Sequence, residues 1–256
     1  MSEVSLAKAP RNLRGTWPQA LSSLAGALLL ILAIRWALVE PYVIPSESML
    51  PTLLVHDHIF VNKFAYGLRL PFTNRYLIRF SKPNRGDVIV FRSVEDSQVF
   101  LVKRVVGLPG DEIEMKSDGL FVNGALQKVA PLDETALKSL LKDWLPANAA
   151  DAEAQYTIST ETLSDARGDF THPVFRDRAN QIPDFAPVKV PADHYFMSGD
   201  NRDHSADSRT WGTLPFDSVL GRASIIWLSC EEAMVQSGQL CNPQTMRWSR
   251  LFTGVR

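Results

Sequence analysis

The chain has 256 residues, enough to bury a sizeable core in one large domain or two small ones. Its 27 Lys and Arg against 28 Asp and Glu leave no basic excess that would point to nucleic acid as a partner. Two cysteines, Cys230 and Cys241, exclude a disulfide-dense scaffold and a four-cysteine zinc site, and no repeat marks a solenoid.

Residues 1–16 form a short N-terminal segment carrying Lys8, Arg11 and Arg14. Trp17 to Val39 then reads WPQALSSLAGALLLILAIRWALV, with Arg35 its only charge. At about 1.5 Å per residue this run makes about 34 Å of helix, enough for a bilayer core of about 30 Å. Arg35 stands near the far end, where a long side chain reaches the interface, and Trp17 and Trp36 suit the two interfacial belts. The basic residues before the span predict a cytoplasmic N-terminus, with everything after Val39 outside. A cleaved secretory signal shares this plan, but Ala37-Leu38-Val39 matches an Ala-x-Ala cleavage site poorly, so the expectation is an uncleaved single-pass anchor, residues 17–39.

Beyond the anchor, period two takes over. HIFVN (58–62), DVIVF (87–91), FLVKRVV (100–106), DEIEM (111–115), GLFVN (119–123), HYFMS (194–198) and GRASIIWL (221–228) are short, β-branched or aromatic, and bounded by turn formers. NRGD (84–87), LPGD (108–111), SDG (117–119) and NG (123–124) supply turns, and DEIEMKSDGLFVNG reads as a hairpin. The expected fold is mainly β: a transmembrane helix followed by a largely antiparallel catalytic domain over 40–130 and 191–256. Residues 131–190 differ. ETALKSLLKDWL (134–145) permits helix, the rest is polar with few strand signals until PVKVP (187–191), and the stretch reads as an inserted second lobe.

Three features could carry chemistry. PSESMLPTL (45–53) places Ser46 and Ser48 one residue apart, no more than about 30 Å of extended chain from the end of the anchor. Serine needs a base and an oxyanion site. His56, His58, His172, His194 and His204 stand in no triad context, and G-x-S-x-G is absent. A desolvated lysine is the other option, and Lys103, flanked by Leu101, Val102, Val105 and Val106, is the candidate. From that window alone, an edge-strand lysine that wards off aggregation fits equally. GDNRDHSADSRTWG (199–212), rich in charge and turn formers, reads either as a solvated loop or as an active-site loop. HDH (56–58) lacks a third ligand nearby, and no metal is expected there.

PSESMLPTL, RGDVIVF (85–91), LVKRVVGLPGD (101–111) and GDNRDHSADSR (199–209), in this order behind an anchor, resemble bacterial type I signal peptidase, the leader peptidase family. The resemblance implies a serine endopeptidase that removes signal peptides after Ala-x-Ala-type sites through a Ser-Lys dyad. Ser48 matches the nucleophile, Lys103 the general base, and Ser46 the hydroxyl that joins the Ser48 N–H in the oxyanion hole. Ser205 matches the serine that orients the lysine amine, with Arg104, Asp200, Asp207 and Arg209 as charged support. Ile44, Pro45, Met49, Leu53, Leu101 and Val102 match the small alanine pockets. The resemblance implies no cofactor or metal. It implies preproteins and the lipid bilayer as partners, no nucleic acid, proximity to the secretion translocon, and a catalytic domain on the outer side of the bacterial inner membrane.

Two positions depart from the family pattern: Glu47, where some relatives have Gly, and His204, where Asn is common. A histidine base occurs in endoplasmic reticulum relatives, but here Lys103 holds the base position. Outside the cytoplasm a Cys230–Cys241 disulfide is expected. A catalytically dead envelope scaffold and a Ser-Lys self-cleaving regulator are the alternatives. The first has no need of Ser48 and Lys103, and the second is soluble where this chain carries residues 17–39.

Overall fold

The computed structural model describes residues 16–70, 73, 75–135, 137–138, 156–181, 183–234 and 240–255, with backbone alone over 33–37. Helix α1 spans Trp17–Ala37. Pro18 falls in its first turn, where an N–H has no intrahelical partner to lose. Leu21, Leu24 and residues 28–32 are all exposed, so the helix carries apolar side chains on its surface. Side chains of α1 are described only to Leu32, and within that limit no helix among the described residues is long and apolar enough to cross a membrane.

Only Leu38 separates α1 from strand β1 (Val39–Val43), so the apolar N-terminal run feeds straight into the sheet. There follow β2 (Asp57–Asn62), β3 (Gly67–Arg69), β4 (Tyr76–Arg79), β5 (Val88–Arg92), β6 (Phe100–Gly107), β7 (Glu112–Lys116), β8 (Gly119–Val122) and β9 (Ala125–Leu126). After these come β10 (Lys128–Pro131), β11 (Tyr156–Asp165), β12 (Gly168–Asp177), β13 (Phe185–Lys189) and β14 (His194–Ser198). A one-turn helix α2 (Ser208–Trp211), β15 (Leu214–Pro215), β16 (Val219–Ser229) and β17 (Thr253–Gly254) complete the order. All seven runs of period two are strands, and every pairing between strands is antiparallel.

The main sheet runs β1-β2-β16-β5-β6-β14-β15, with β17 added to β16. Both its faces are buried. Val88 and Val90 pack with Ile44, Met49, Leu53, Ile59 and Val61 on one side, and Ile89 and Phe91 pack with Tyr66, Val105, Tyr195 and Met197 on the other. That is why VIVF (88–91) is apolar at every position instead of alternating. The predicted hairpin is β7-β8, in a sheet ordered β13-β7-β8-β9.

Residues 131–190 contain more strand than their polarity suggests. β11 and β12 pair over ten residues each, from Tyr156↔Asp177 to Asp165↔Gly168, and join β10 in a separate three-stranded sheet. Residues 134–135 and 137–138 are helical, with Lys138 paired to Glu134; the remainder of the helix-permissive stretch lies outside the described residues. Cys230 and Cys241 are joined by a disulfide at the end of β16.

Candidate active site

The segment after β1 turns tightly. Ile44 exchanges backbone hydrogen bonds with Asp57 and His56, Leu50 N–H reaches Glu47 O, and Leu53 N–H reaches Met49 O. Met49 and Leu53 are fully buried in the core. With Ile44 they anchor the turn on both sides of Ser48, whose side chain is then aimed across to β6. From the opposite side Asn201 N–H donates to Ser48 O at 3.2 Å, and Asn201 Nδ2 donates to Glu47 O at 3.1 Å. The serine turn and the 199–209 loop are therefore tied through the backbone and the side chain of Asn201.

Lys103 sits on β6 opposite Ile89, and its same-face neighbours Leu101 and Val105 belong to the apolar cluster on that side. Its side chain ends 2.6 Å from Ser48 Oγ, with Lys103 at 3% exposure and Ser48 at 9%. Burial lowers the Lys103 ammonium from 10.5 to about 8; Asp207 and Asp200 oppose that shift and Arg209 assists it. Ser46 Oγ lies 3.4 Å from Ser48 Oγ. A buried serine hydroxyl, a buried amine whose pKa is lowered and a second hydroxyl thus share one spot.

Beneath the pair lies a buried charge array. Arg104 holds Asp200 by two bonds, Nε to Oδ1 at 2.8 Å and Nη2 to Oδ2 at 2.6 Å, and donates from Nη1 to Gly86 O. Burial would raise the Asp200 carboxyl, but Arg104 and then His172 hold it well below the usual carboxylate range. Asp207 caps α2, accepts from Gly199 N–H at 3.0 Å, and binds Arg209 at 2.8 and 2.7 Å. Ser205 is buried beside Gly199: a Cβ on Gly199 would stand 2.3 Å from Ser205 Oγ and 2.4 Å from Ser48 O. Only glycine lets the two serine-bearing segments approach this closely. Ser205 Oγ itself has no hydrogen-bond partner among the described residues.

Several residues of this array were not singled out from sequence. Thr52 donates to Asp200 at 2.5 Å and accepts from Arg104 at 3.2 Å. Glu161 pairs with Arg202 at 2.7 and 2.5 Å, and His172 stands 3.4 Å from both Glu161 and Asp200. Arg202 lies inside the GDNRDHSADSR block, which was a signal; Glu161 and His172 come from the β11-β12 hairpin, where the sequence offered no signal for Glu161 and only a histidine without triad context for His172.

Of the six pocket positions, Ile44, Met49, Leu53 and Val102 come together in one cluster, Leu101 packs on the opposite face of β6, and Pro45 is exposed. Glu47 is exposed and is not among the charges that act on Lys103. His204 is bound to Asp177 at 2.9 Å. His56 bonds Glu231 O, and His58 meets the Trp227 ring edge-on. Cys230 and Cys241, which lie near His58, are bonded to each other and offer no thiolate to a metal.

The profile of the family described as "Signal peptidase, peptidase S26" matches residues 17–228. Signal peptidase I of Pseudomonas fluorescens is 41% identical over 218 residues, covering 80% of this chain and 70% of that one. The Pseudomonas aeruginosa protein of the same name is 39% identical over 79% and 69%, and that of Haemophilus influenzae 32% over 92% and 75%. A crystal structure of signal peptidase I from Enterococcus faecalis aligns at a TM-score of 0.32 and 29% identity, over 57% of this chain and 99% of that one. The chain belongs to the signal peptidase family, peptidase S26, and is a serine endopeptidase of the signal peptidase I type.

Proposed function

We propose that this enzyme removes N-terminal signal peptides from exported preproteins after Ala-x-Ala-type sites, using Ser48 as nucleophile and Lys103 as general base. The observation that carries the reading is the 2.6 Å contact between a buried lysine amine and a buried serine hydroxyl. Neutral Lys103 takes the Ser48 proton as Oγ attacks the scissile carbonyl. The lysine then gives that proton to the leaving amine, and an ester to Ser48 remains. Lys103 next deprotonates a water that hydrolyses the ester. Ser46 Oγ and the Ser48 N–H are assigned to the oxyanion; Ser205 Oγ, unpartnered among the described residues, is assigned to accept a hydrogen bond from the Lys103 amine during the reaction. Arg104–Asp200 and Asp207–Arg209 fix the frame. This chemistry needs neither metal nor cofactor.

The strand edges favour an extended substrate. β14 pairs with β6 only from Arg104 onward, so residues 100–103 carry no strand on that edge among the described residues. A signal peptide's C-terminal segment would add there as a strand, placing alternate small side chains toward Ile44, Met49, Leu53 and Val102. Small pockets admit Ala and exclude larger residues by overlap.

For the membrane, we assign α1 as a single-pass anchor in the bacterial inner membrane. Its 21 residues extend about 32 Å at about 1.5 Å each, and its exposed leucines suit lipid. The N-terminus is then cytoplasmic, and the catalytic β domain (40–130 and 191–256) with its inserted lobe (131–190) stands outside, near the translocon. The test is cleavage of a preprotein bearing an Ala-x-Ala site by detergent-solubilised protein, beside Ser48→Ala and Lys103→Ala. Full activity in either variant, or inactivity of the wild type, sinks the dyad.

A further inference from the structure

The substrate strand assigned to the β6 edge has a defined end. From Arg104 onward β14 takes that edge, so a chain running along residues 100–103 must leave the sheet at Ser48. Two segments border this exit, the serine turn and the 199–209 loop that follows β14. A third wall comes from the inserted lobe, whose Ile158 and Phe175 pack on Leu50 and Leu54 just past Ser48. Tyr156, at the start of β11, stacks on Phe175 at 5.9 Å and meets the His204 ring edge-on at 6.2 Å.

Glu47 is the acid that faces this opening. Its carbonyl is held on the loop side, accepting from Asn201 Nδ2 at 3.1 Å. Its carboxylate is exposed and takes no hydrogen bond or ion pair among the described residues. Burial, then Asp177 and then Glu47 push the Tyr156 phenol up, which puts the carboxylate on the Tyr156 side of the turn. The charges beside it are committed. Asp177 is buried and bound to His204 at 2.9 Å, and Asp203 accepts from the Asp177 N–H at 2.8 Å. Arg178 donates to Thr157 Oγ1, and strand alternation puts Thr157 on the face opposite Tyr156.

We propose that Glu47 is a specificity residue for the mature side of the preprotein, favouring a basic residue among the first three after the scissile bond and disfavouring an acidic one. An exposed carboxylate at the rim attracts Lys or Arg and repels Asp or Glu, which biases encounter more than it alters the chemistry. The proposal rests on the Ser48–Lys103 reading, since that reading sets where the scissile bond lies.

The test is kcat/KM of the detergent-solubilised full chain on peptides that share one Ala-x-Ala segment. They carry Lys, Gln or Glu at the first, second or third position after the cleaved bond. At low ionic strength the wild type should prefer Lys to Glu by about tenfold at one or more positions, about threefold for each sign of charge. The preference should shrink toward unity in molar salt. Glu47→Gln should abolish it, and Glu47→Lys should reverse it. Each preference is a ratio of two peptides on one enzyme, so a variant of lower overall activity still decides the matter. Equal rates for Lys and Glu at all three positions overturn the proposal, as does a preference that survives Glu47→Gln. A wild type that cleaves every peptide alike refutes the Glu47 role and leaves the dyad standing. One that cleaves none refutes the dyad and the Glu47 role with it.

Discussion

Lys103 Nζ and Ser48 Oγ stand 2.6 Å apart although 55 residues separate them in the chain. β6 brings the lysine through an apolar layer, the turn after β1 brings the serine, and the 199–209 loop locks the turn by its hydrogen bonds to Ser48 O and Glu47 O.

In the proposed dyad, Lys103 acts only while it is neutral. With its pKa at about 8, preprotein cleavage should rise tenfold per pH unit below that value and level off above it. A kcat/KM profile measures this. An acidic limb centred above pH 10 would mean that the amine is not desolvated in the working enzyme.

The same shift has a stability cost. The folded protein releases the Lys103 proton near 8, whereas the unfolded chain holds it to about 10.5, so stability rises with pH between those values. The penalty is complete below about 8 and gone above about 10.5. Lys103→Met should therefore raise the unfolding free energy at pH 7 by about 1–3 kcal/mol, with the gain fading toward pH 10.5. Denaturant melts at the two pH values test both signs.

Arg104 and Asp200 are each almost wholly inaccessible, so neither charge tolerates losing the other. Arg104→Met should cost about 3–5 kcal/mol of stability and most of the activity. A variant that melts like wild type would show that the pair is dispensable.

Gly199→Ala places a methyl 2.4 Å from Ser48 O, a backbone atom that cannot swing aside. Displacement of the nucleophile by a fraction of an ångström should lower kcat by on the order of 10²-fold. Steady-state kinetics on a folded variant, checked by circular dichroism, decides it.

The Cys230–Cys241 bridge joins residues 11 apart in sequence and lies outside the chemistry. Replacing both with Ser should remove about 2–3 kcal/mol of stability, the loop-closure entropy of so short a loop, and leave cleavage of a folded sample unchanged. Thermal melts and turnover read the two effects separately.

What could be read from residues alone followed hydropathy. The seven strand runs announced themselves because their inward positions are mostly apolar, whereas the surroundings of Lys103 fitted a buried amine and an edge-strand lysine equally until the family resemblance was added. The β11-β12 hairpin stayed hidden for the opposite reason. Its buried positions include Glu161, His172 and Asp177, whose partners are Arg202, Asp200 and His204. A polar residue satisfied by a distant partner looks like a surface residue until the partner is known. Thr52 and Gly199 escaped for a related reason, since a small side chain signals nothing until its neighbours are in place. Leu101 and Val102 matched pocket positions by order in the chain, and strand alternation puts them on opposite faces of β6.

Acyl-enzyme trapping tests the central claim most directly. A peptide ester with an Ala-x-Ala segment is turned over, quenched in acid and mapped by mass spectrometry. The account predicts the acyl mass on the peptide containing Ser48, at a level that falls below pH 8 in the wild type, and no adduct in Lys103→Ala. An adduct on Ser46 or Ser205, or undiminished acylation of Ser48 without Lys103, would contradict it.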